Sequence, residues 1–437
     1  MTELRAQATA DGQLNDSLLA KMIPRSLAAL TGIFAGGNAL STGLRMAGAI
    51  LTAKFCEPSS LGLFNAIGLV LGYAPFLQLG ILNGLSRELP FYVGKGDHGR
   101  VRELASAAQA WAITVGGFVA LIMFGVALWE AFRGHWRVSA GWGANACAAF
   151  ALFYGQYYLQ FLYRTHGDFA KLALFSVAQS ALSLLLVSAV WLFGYYGLCL
   201  RIAVANFFLL GLLWCWRPLR VPTKWAREHL THLLKIGAPI FGVGMLYSWW
   251  IVLDSTLVLK EMGITALGLY SLVGMTTQAM TLLSQAVSSI TYPQMAEQFG
   301  RTGKYRDCVR IAIKPCLYLL AGMIPLATAA WWIAPPVILH FLPKYRDAIP
   351  AVQWTAVCSI ALCLDPLNNA FNIVKRQDIY AIAIGAGMLS YFICLKYLLS
   401  RGPSLTAFPV AMLCGHVVFM SISDLFLLHL WRKESCA

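Results

Sequence analysis

Arg45 stands about midway along an apolar run, and Asn38 and Ser41 or Thr42 precede it at helical spacing, so they share one face of a helix. A charge in such a run costs about 2.5–3.5 kcal/mol on insertion scales unless it meets protein or a water-filled cavity. Arg45 is therefore either an anion ligand or a structural group, snorkelling or paired with an Asp. Asp365, Asn368, Asn369 and Asn372 recur at i, i+3, i+4 and i+7, with Pro366 among them. Such a stripe suits sugar hydroxyls or a cation, or interhelical hydrogen bonds of about 0.6 kcal/mol each. Gln156, Gln160 and Arg164 form a further stripe beside tyrosines. Thr277, Thr281, Ser284 and Ser288 form another, with Gln278 and Gln285 adjacent. Asp254, near Tyr247, and Asp424, two turns after His416, are isolated acids in apolar runs. Each is expected either to couple to a proton or Na⁺ or to pair with a base such as Arg45 or Lys396. Arg201, Lys314 and Lys396 are the other bases within or at the edge of such runs.

These residues need apolar helices to hold them, and the composition supplies them. The chain has 437 residues, 59% hydrophobic and only 12% charged, with a mean hydropathy of +0.65. A soluble domain carries about 25% charge. The composition excludes a soluble enzyme, a disordered chain and a nucleic-acid-binding domain. Twelve apolar stretches are expected, at roughly 27–53, 61–85, 105–128, 142–163, 172–194, 198–216, 236–259, 266–290, 311–334, 349–373, 380–399 and 405–430. The polar N-terminal segment 1–26 and the tail 431–437 flank them, and the first run reads as an uncleaved span. Alternate connections carry about 22 of the 33 Lys and Arg residues, against about 7 in the others. The basic side is therefore expected to be cytoplasmic, with both termini there. Asn15-Asp16-Ser17 is then a sequon by letters only, and His229 and His232, on the basic segment 217–235, are expected to face solvent. The net charge of +14 is read as loops held against anionic headgroups, not as a nucleic-acid surface.

The chain repeats itself. Leu61-Gly62-Leu63-Phe64 matches Leu267-Gly268-Leu269-Tyr270 at an offset of about 206, and Gly68, Lys54, Gly94, Lys95 and Arg100 match Gly274, Lys260, Gly300, Arg301 and Arg306. Six spans separate the copies, which predicts a parallel repeat about an axis along the membrane normal. The expected organisation is an N-lobe at 27–216, a basic linker at 217–235 and a C-lobe at 236–430. The cysteines, with no CxxC pair, read as small core residues. Trp249-Trp250 and Trp331-Trp332 read as an interfacial belt. No phosphate loop or HExxH helix is present, and no cofactor is expected.

Ala53–Asp97 resembles the first span pair of the polysaccharide transporter family, the O-antigen and exopolysaccharide flippases. Pro58, Leu-Gly-Leu-Phe, Gly80, Gly84, Arg87-Glu88-Leu89-Pro90 and a Gly-Lys-Gly-Asp loop carry the likeness. Leu253-Asp254 with Leu267-Gly268-Leu269-Tyr270 extends it, although Ser255 stands where the family often has Arg. Phe341–Ala348 is similar to a family loop but lacks its Gly. The resemblance implies an all-α polytopic membrane protein, with about twelve transmembrane helices in two pseudo-symmetric six-helix lobes around a central cavity. It implies a flippase, not an enzyme, that carries an undecaprenyl-diphosphate-linked oligosaccharide across a bacterial inner membrane for O-antigen, capsule or exopolysaccharide synthesis. A polysaccharide polymerase, a chain-length regulator, membrane lipids and H⁺ or Na⁺ are the expected partners. The family's cationic cavity is the role carried to Arg45, with Arg164 or Lys396. Asn38, Gln156, Gln160, Gln285, Asn368 and Asn369 are expected to contact substrate. Asp254, Asp365 and Asp424 are the ion-coupling candidates. The rivals are a multidrug antiporter of the same superfamily, which wants an anionic cavity, and a glycan ligase or polymerase, which wants a large outer loop.

Overall fold

A computed structural model describes residues 27–373 and 376–435; segment 1–26, Val374, Lys375 and the last two residues lie outside the described part. The described residues are helical, with no strand among them. This is what a membrane demands, because a spanning segment must satisfy its own backbone polar groups. Twelve antiparallel rods follow one another. Span 1 is Leu27–Phe55. Span 2 is Pro58–Tyr73 and Ile81–Gly94 with a tight turn, Ala74–Gln78, between. Span 3 is His98–Phe132. Span 4 is Trp136–Phe150 continuing to His166. Span 5 is Phe169–Leu185 with Val187–Phe193, and span 6 is Tyr195–Cys215. Spans 7 and 8 together occupy Arg227–Thr302, and span 9 is Tyr305–Phe341. Span 10 is Ile349–Ala361 with Asp365–Ile373, span 11 is Gln377–Ser400 and span 12 is Ala407–Ser435.

Local chemistry sets the breaks. Gly263 (φ 84°, ψ −177°) separates spans 7 and 8, a conformation that a side chain would disfavour. Leu79 (φ 53°) and Gly80 (φ 85°) turn span 2 after Gln78. Pro366 lacks an N–H, so the carbonyl of Leu362 loses its i→i+4 donor and accepts the Asp365 N–H in a tight turn. Ser284 of span 8 donates to the same carbonyl, at 3.1 Å. In span 4, Ala151–Leu159 winds more widely, with i→i+5 bonding. Span 7 begins at Arg227, so its first turns occupy the end of the expected linker.

Leu82, Leu85, Leu104, Tyr158 and Tyr163 form a core in the first lobe. A second core, around Trp250, Tyr391, Phe408 and Phe419, runs across the lobes to Leu61, Phe64 and Leu198. The lobes join along spans 2 and 7. Tyr73 Oη and Thr256 Oγ1 lie 2.7 Å apart, and the rings of Phe76 and Trp249 are 4.6 Å apart. At the face carrying the chain ends, Glu88 meets His232 at 3.0 Å and Glu103 meets His229 at 3.4 Å. These histidines, expected in solvent, hold span 7 to the first lobe because the helix starts early enough to present them there. At the opposite face the two Leu-Gly-Leu copies meet. A Cβ on Gly62 would collide with the carbonyl of Ile264, and one on Gly268 with the carbonyl of Pro58. Tyr345 donates to the carbonyl of Cys56 at 3.5 Å, and Lys344 pairs with Glu57 at 3.7 Å, closing the same face. Span 1 packs on span 5, with Ser41 and Ser180 hydroxyls 2.8 Å apart, and scarcely touches span 8.

Candidate functional site

A cavity of about 1320 Å³ lies between the lobes. Spans 1, 2 and 6 form one wall and spans 7, 8, 10 and 12 the other. Span 8 supplies the hydroxyl stripe. Thr277 Oγ1 donates to the Val273 carbonyl at 3.0 Å, and Thr281 Oγ1 to the Thr277 carbonyl at 2.8 Å. Their protons are thus spent on their own helix, and their oxygens remain acceptors facing the cavity. Gln278 and Gln285 line the same space and add amide donors, while Ser284 is buried and tied to Leu362. This wall can replace water around groups that both donate and accept.

Asp254 is 4% exposed and lines the cavity. Tyr270 donates to its Oδ2 at 2.6 Å and Tyr391 to its Oδ1 at 2.7 Å, so each carboxylate oxygen has a hydroxyl partner and neither has a cationic one. Beside it, Cys358 Sγ lies 3.3 Å from His416 Nδ1, and the His416 ring is 4.9 Å from that of Trp250. Trp250 is 1% exposed. It is core packing and not the interfacial anchor expected of it, because span 7 turns it inward between spans 11 and 12. Trp332, fully in keeping with a belt, is exposed.

The expected site residues separate into two groups. Gln285, Asn369, Asp254 and Asp365 line the cavity. Asn368 does not: it is buried, donates to Asp365 Oδ1 at 3.3 Å and accepts from Ser423. Asp424 is half-buried behind it in span 12. Arg45 is exposed and donates to Thr42 Oγ1 at 3.0 Å. It precedes the lining residues Ala49 and Thr52 by four and seven positions, on their face of span 1. Asn38 is exposed a further two turns back, and its carbonyl accepts from Thr42. Gln156 and Gln160 are half-buried in span 4, away from the cavity lining; the i→i+5 winding of Ala151–Leu159 breaks the phase on which their stripe was read. Arg164 is exposed, its guanidinium 5.8 Å from the Phe161 ring. Lys396 is exposed on span 11. No ion pair joins Arg45 or Lys396 to an acid among the described residues, and no group of His, Cys, Asp and Glu there is arranged to hold a metal. The unanticipated lining residue is Arg201 of span 6, visible in the sequence only as one more embedded base.

The comparisons with known proteins fit this architecture. A multidrug resistance MATE family transporter of the MOP superfamily, in an inward-facing conformation, superposes with a TM-score of 0.73 at 14% identity over 91% of this chain and 96% of that one. An outward-facing structure of the same description gives 0.62 at 15%, over 93% and 96%. The chain is a multi-pass membrane protein with the MOP-superfamily fold. A MOP superfamily transporter from Pyrococcus furiosus, described as having a binding pocket of reversed polarity, gives 0.60 at 15%, over 92% and 94%. Residues 147–350 match the family described as "Polysaccharide biosynthesis protein". The resemblance to polysaccharide transporters of the MOP superfamily is thereby borne out, as is the two-lobed helical fold. No curated protein matches the sequence.

Proposed function

We propose that this protein flips a diphosphate-linked oligosaccharide lipid across a bacterial inner membrane by alternating access. The observation that carries the reading is the cavity itself: about 1320 Å³, bounded on span 8 by hydroxyl acceptors and amide donors, in a chain matching a polysaccharide biosynthesis family. Sugars present hydroxyls that donate and accept, and this wall answers both. The sparse contact between spans 1 and 8 leaves a side of the cavity along which a lipid tail can stay in the bilayer while the headgroup is enclosed. Gln285 and Asn369 contact the glycan. Asp254, backed by Asp365 and Asp424, links the rocking of the lobes to H⁺ or Na⁺. The basic face, with both termini, is cytoplasmic. A polymerase and a chain-length regulator take the product onward.

Asp254 and Asp365 on the cavity wall favour a second reading, a cation-coupled multidrug antiporter. Reconstituted vesicles separate the two. With lipid-linked oligosaccharide in the outer leaflet, the flippase moves it well above the rate of empty vesicles and leaves a cationic dye untouched. Dye movement with no lipid movement overturns the flippase. In cells, deletion is expected to trap lipid-linked oligosaccharide on the inner leaflet.

A further inference from the structure

Segment 217–226, between spans 6 and 7, forms no helix, yet it is held to the first lobe. Ser106 Oγ of span 3 donates to the Pro222 carbonyl. Gln109 Nε2, one turn further along, donates to Thr223 Oγ1 at 3.1 Å, and Tyr158 Oη of span 4 fixes that amide by donating to its Oε1 at 3.1 Å. The ring of Trp225 lies 5.8 Å from that of Trp111. Leu219, Val221 and Ala226 pack on the first lobe's core. The segment is a strap across span 3, with Arg220, Lys224 and Trp225 left exposed.

The helix beneath sets its depth. Trp111 and Trp129 stand 18 residues apart in the unbroken helix His98–Phe132. That is about 27 Å at 1.5 Å per residue, close to a hydrocarbon core of about 30 Å. Trp129 is exposed, as an interfacial anchor is. Trp111 and the strap on it therefore lie at the opposite headgroup level, on the face of the chain ends. Arg217, Arg220, Lys224 and Arg227 have no carboxylate partner there among the described residues. Glu228 is the one acid in 217–235, and Glu103 is taken by Arg100 and His229. The basic connection between spans 8 and 9, on the same face, is made differently. Its Arg301 pairs with Glu297 at 2.6 Å, and its Arg306 lies 5.2 Å from the ring of Trp431.

We propose that this strap is a docking surface for the headgroup of an anionic phospholipid in the leaflet at the chain-terminal face. Arg220 and Lys224 supply the charge that a lipid phosphate attracts. Trp225 supplies an amphipathic ring at the level where such rings settle. Unpaired cations beside an indole at headgroup depth complement an anion that carries acyl chains below it; an acidic peptide would need the charge but not the depth. The strap shares no residue with the cavity lining, so the proposal stands whatever the cavity carries.

The test titrates the purified full chain in a neutral detergent with phosphatidylglycerol and, separately, with phosphatidylcholine, and counts bound lipid by native mass spectrometry. Phosphatidylglycerol is expected to bind about tenfold more tightly, and the preference to fade as salt rises. The double variant Arg220→Gln, Lys224→Gln is expected to remove that preference. Lys304→Gln with Arg310→Gln takes the same charge from the same face and should change it less than about twofold, because no strap holds those residues. Thr223→Val keeps every charge but frees the strap from Gln109, and should weaken phosphatidylglycerol binding several-fold. If the strap double variant fails to fold, Thr223→Val and Arg220→Gln alone decide the matter. Equal affinity for the two lipids overturns the proposal. So does equal loss in the two double variants, or a loss on removing the strap charges with none in Thr223→Val, since net charge would then suffice. A polyglutamate peptide that binds the strap where phosphatidylglycerol does not would assign the surface to a protein partner and overturn the lipid.

Discussion

The two walls of the cavity come from repeated halves and have diverged in charge. The first lobe's wall brings a cation, Arg201, whose partners are all neutral. The second lobe's wall brings acids that are already supplied with donors: Asp254 by Tyr270 and Tyr391, Asp365 by Asn368. The repeat persists at the seam and at the lining pairs Leu61/Leu267 and Gly68/Gly274, while the charged residues of the two walls differ. Gly62 and Gly268, equivalent positions, touch each other's helix. Tyr270, equivalent to Phe64, has gained the hydroxyl that holds Asp254. The difference of one oxygen atom separates a packing position from a polar site.

The seam is where the symmetry should break hardest. Gly62→Ala and Gly268→Ala each drive a methyl group into a backbone carbonyl of the facing helix, which cannot move aside like a flexible side chain. Transport in vesicles is expected to fall by at least tenfold, with the face of Glu57 and Lys344 opened to a membrane-impermeant thiol reagent at an introduced cysteine. Gly300→Ala, also matched in the repeat but off the cavity lining and with nothing within 4 Å, should leave transport within about twofold. Equal loss at all three positions would sink the seam. Asp254→Ala comes next. It strands two buried tyrosine hydroxyls, each costing about 1–3 kcal/mol, so thermal unfolding should report a loss of roughly 2–6 kcal/mol. Asp254→Asn keeps an acceptor and should recover much of that stability while coupling to an ion gradient is lost. Retained coupling in Asp254→Asn would remove Asp254 from its proposed role.

Much of this was legible in the residues. Apolar periodicity marked all twelve rods, and the offset of 206 marked the lobes, because both are one-dimensional signals that the membrane enforces. The site was legible in part. Gln285, Asn369, Asp254 and Asp365 lie on the cavity lining, since their helices are regular enough for spacing to predict a face. The Gln156–Gln160 stripe lost its phase to the wide winding of span 4. Arg201 stayed hidden because its setting depends on a break in a different helix, at Leu186, and on a threonine 149 residues away. His229 and His232 looked solvated because their glutamate partners sit more than 100 residues earlier in the chain.

The lining distinguishes residues of the same type. Gln285→Ala and Asn369→Ala should raise the KM for lipid-linked oligosaccharide several-fold. Gln156→Ala and Gln160→Ala, off the cavity, should change it less than twofold, and the reverse order would move the substrate path into the first lobe.

The smallest expected effect tests whether electrostatics hold the seam at all. Lys344 and Glu57 pair at 3.7 Å across the lobes, but their side chains are 50% and 68% exposed. A solvated pair at that separation contributes about 0–1 kcal/mol and is screened by salt. A double-mutant cycle of Glu57→Gln and Lys344→Gln should therefore give a coupling below about 1 kcal/mol that fades as ionic strength rises. Beside it, the Gly62 and Gly268 contact is dry backbone against backbone and should show no salt dependence. A coupling well above that range, or one indifferent to salt, would mean that charge and not close helix approach closes this face.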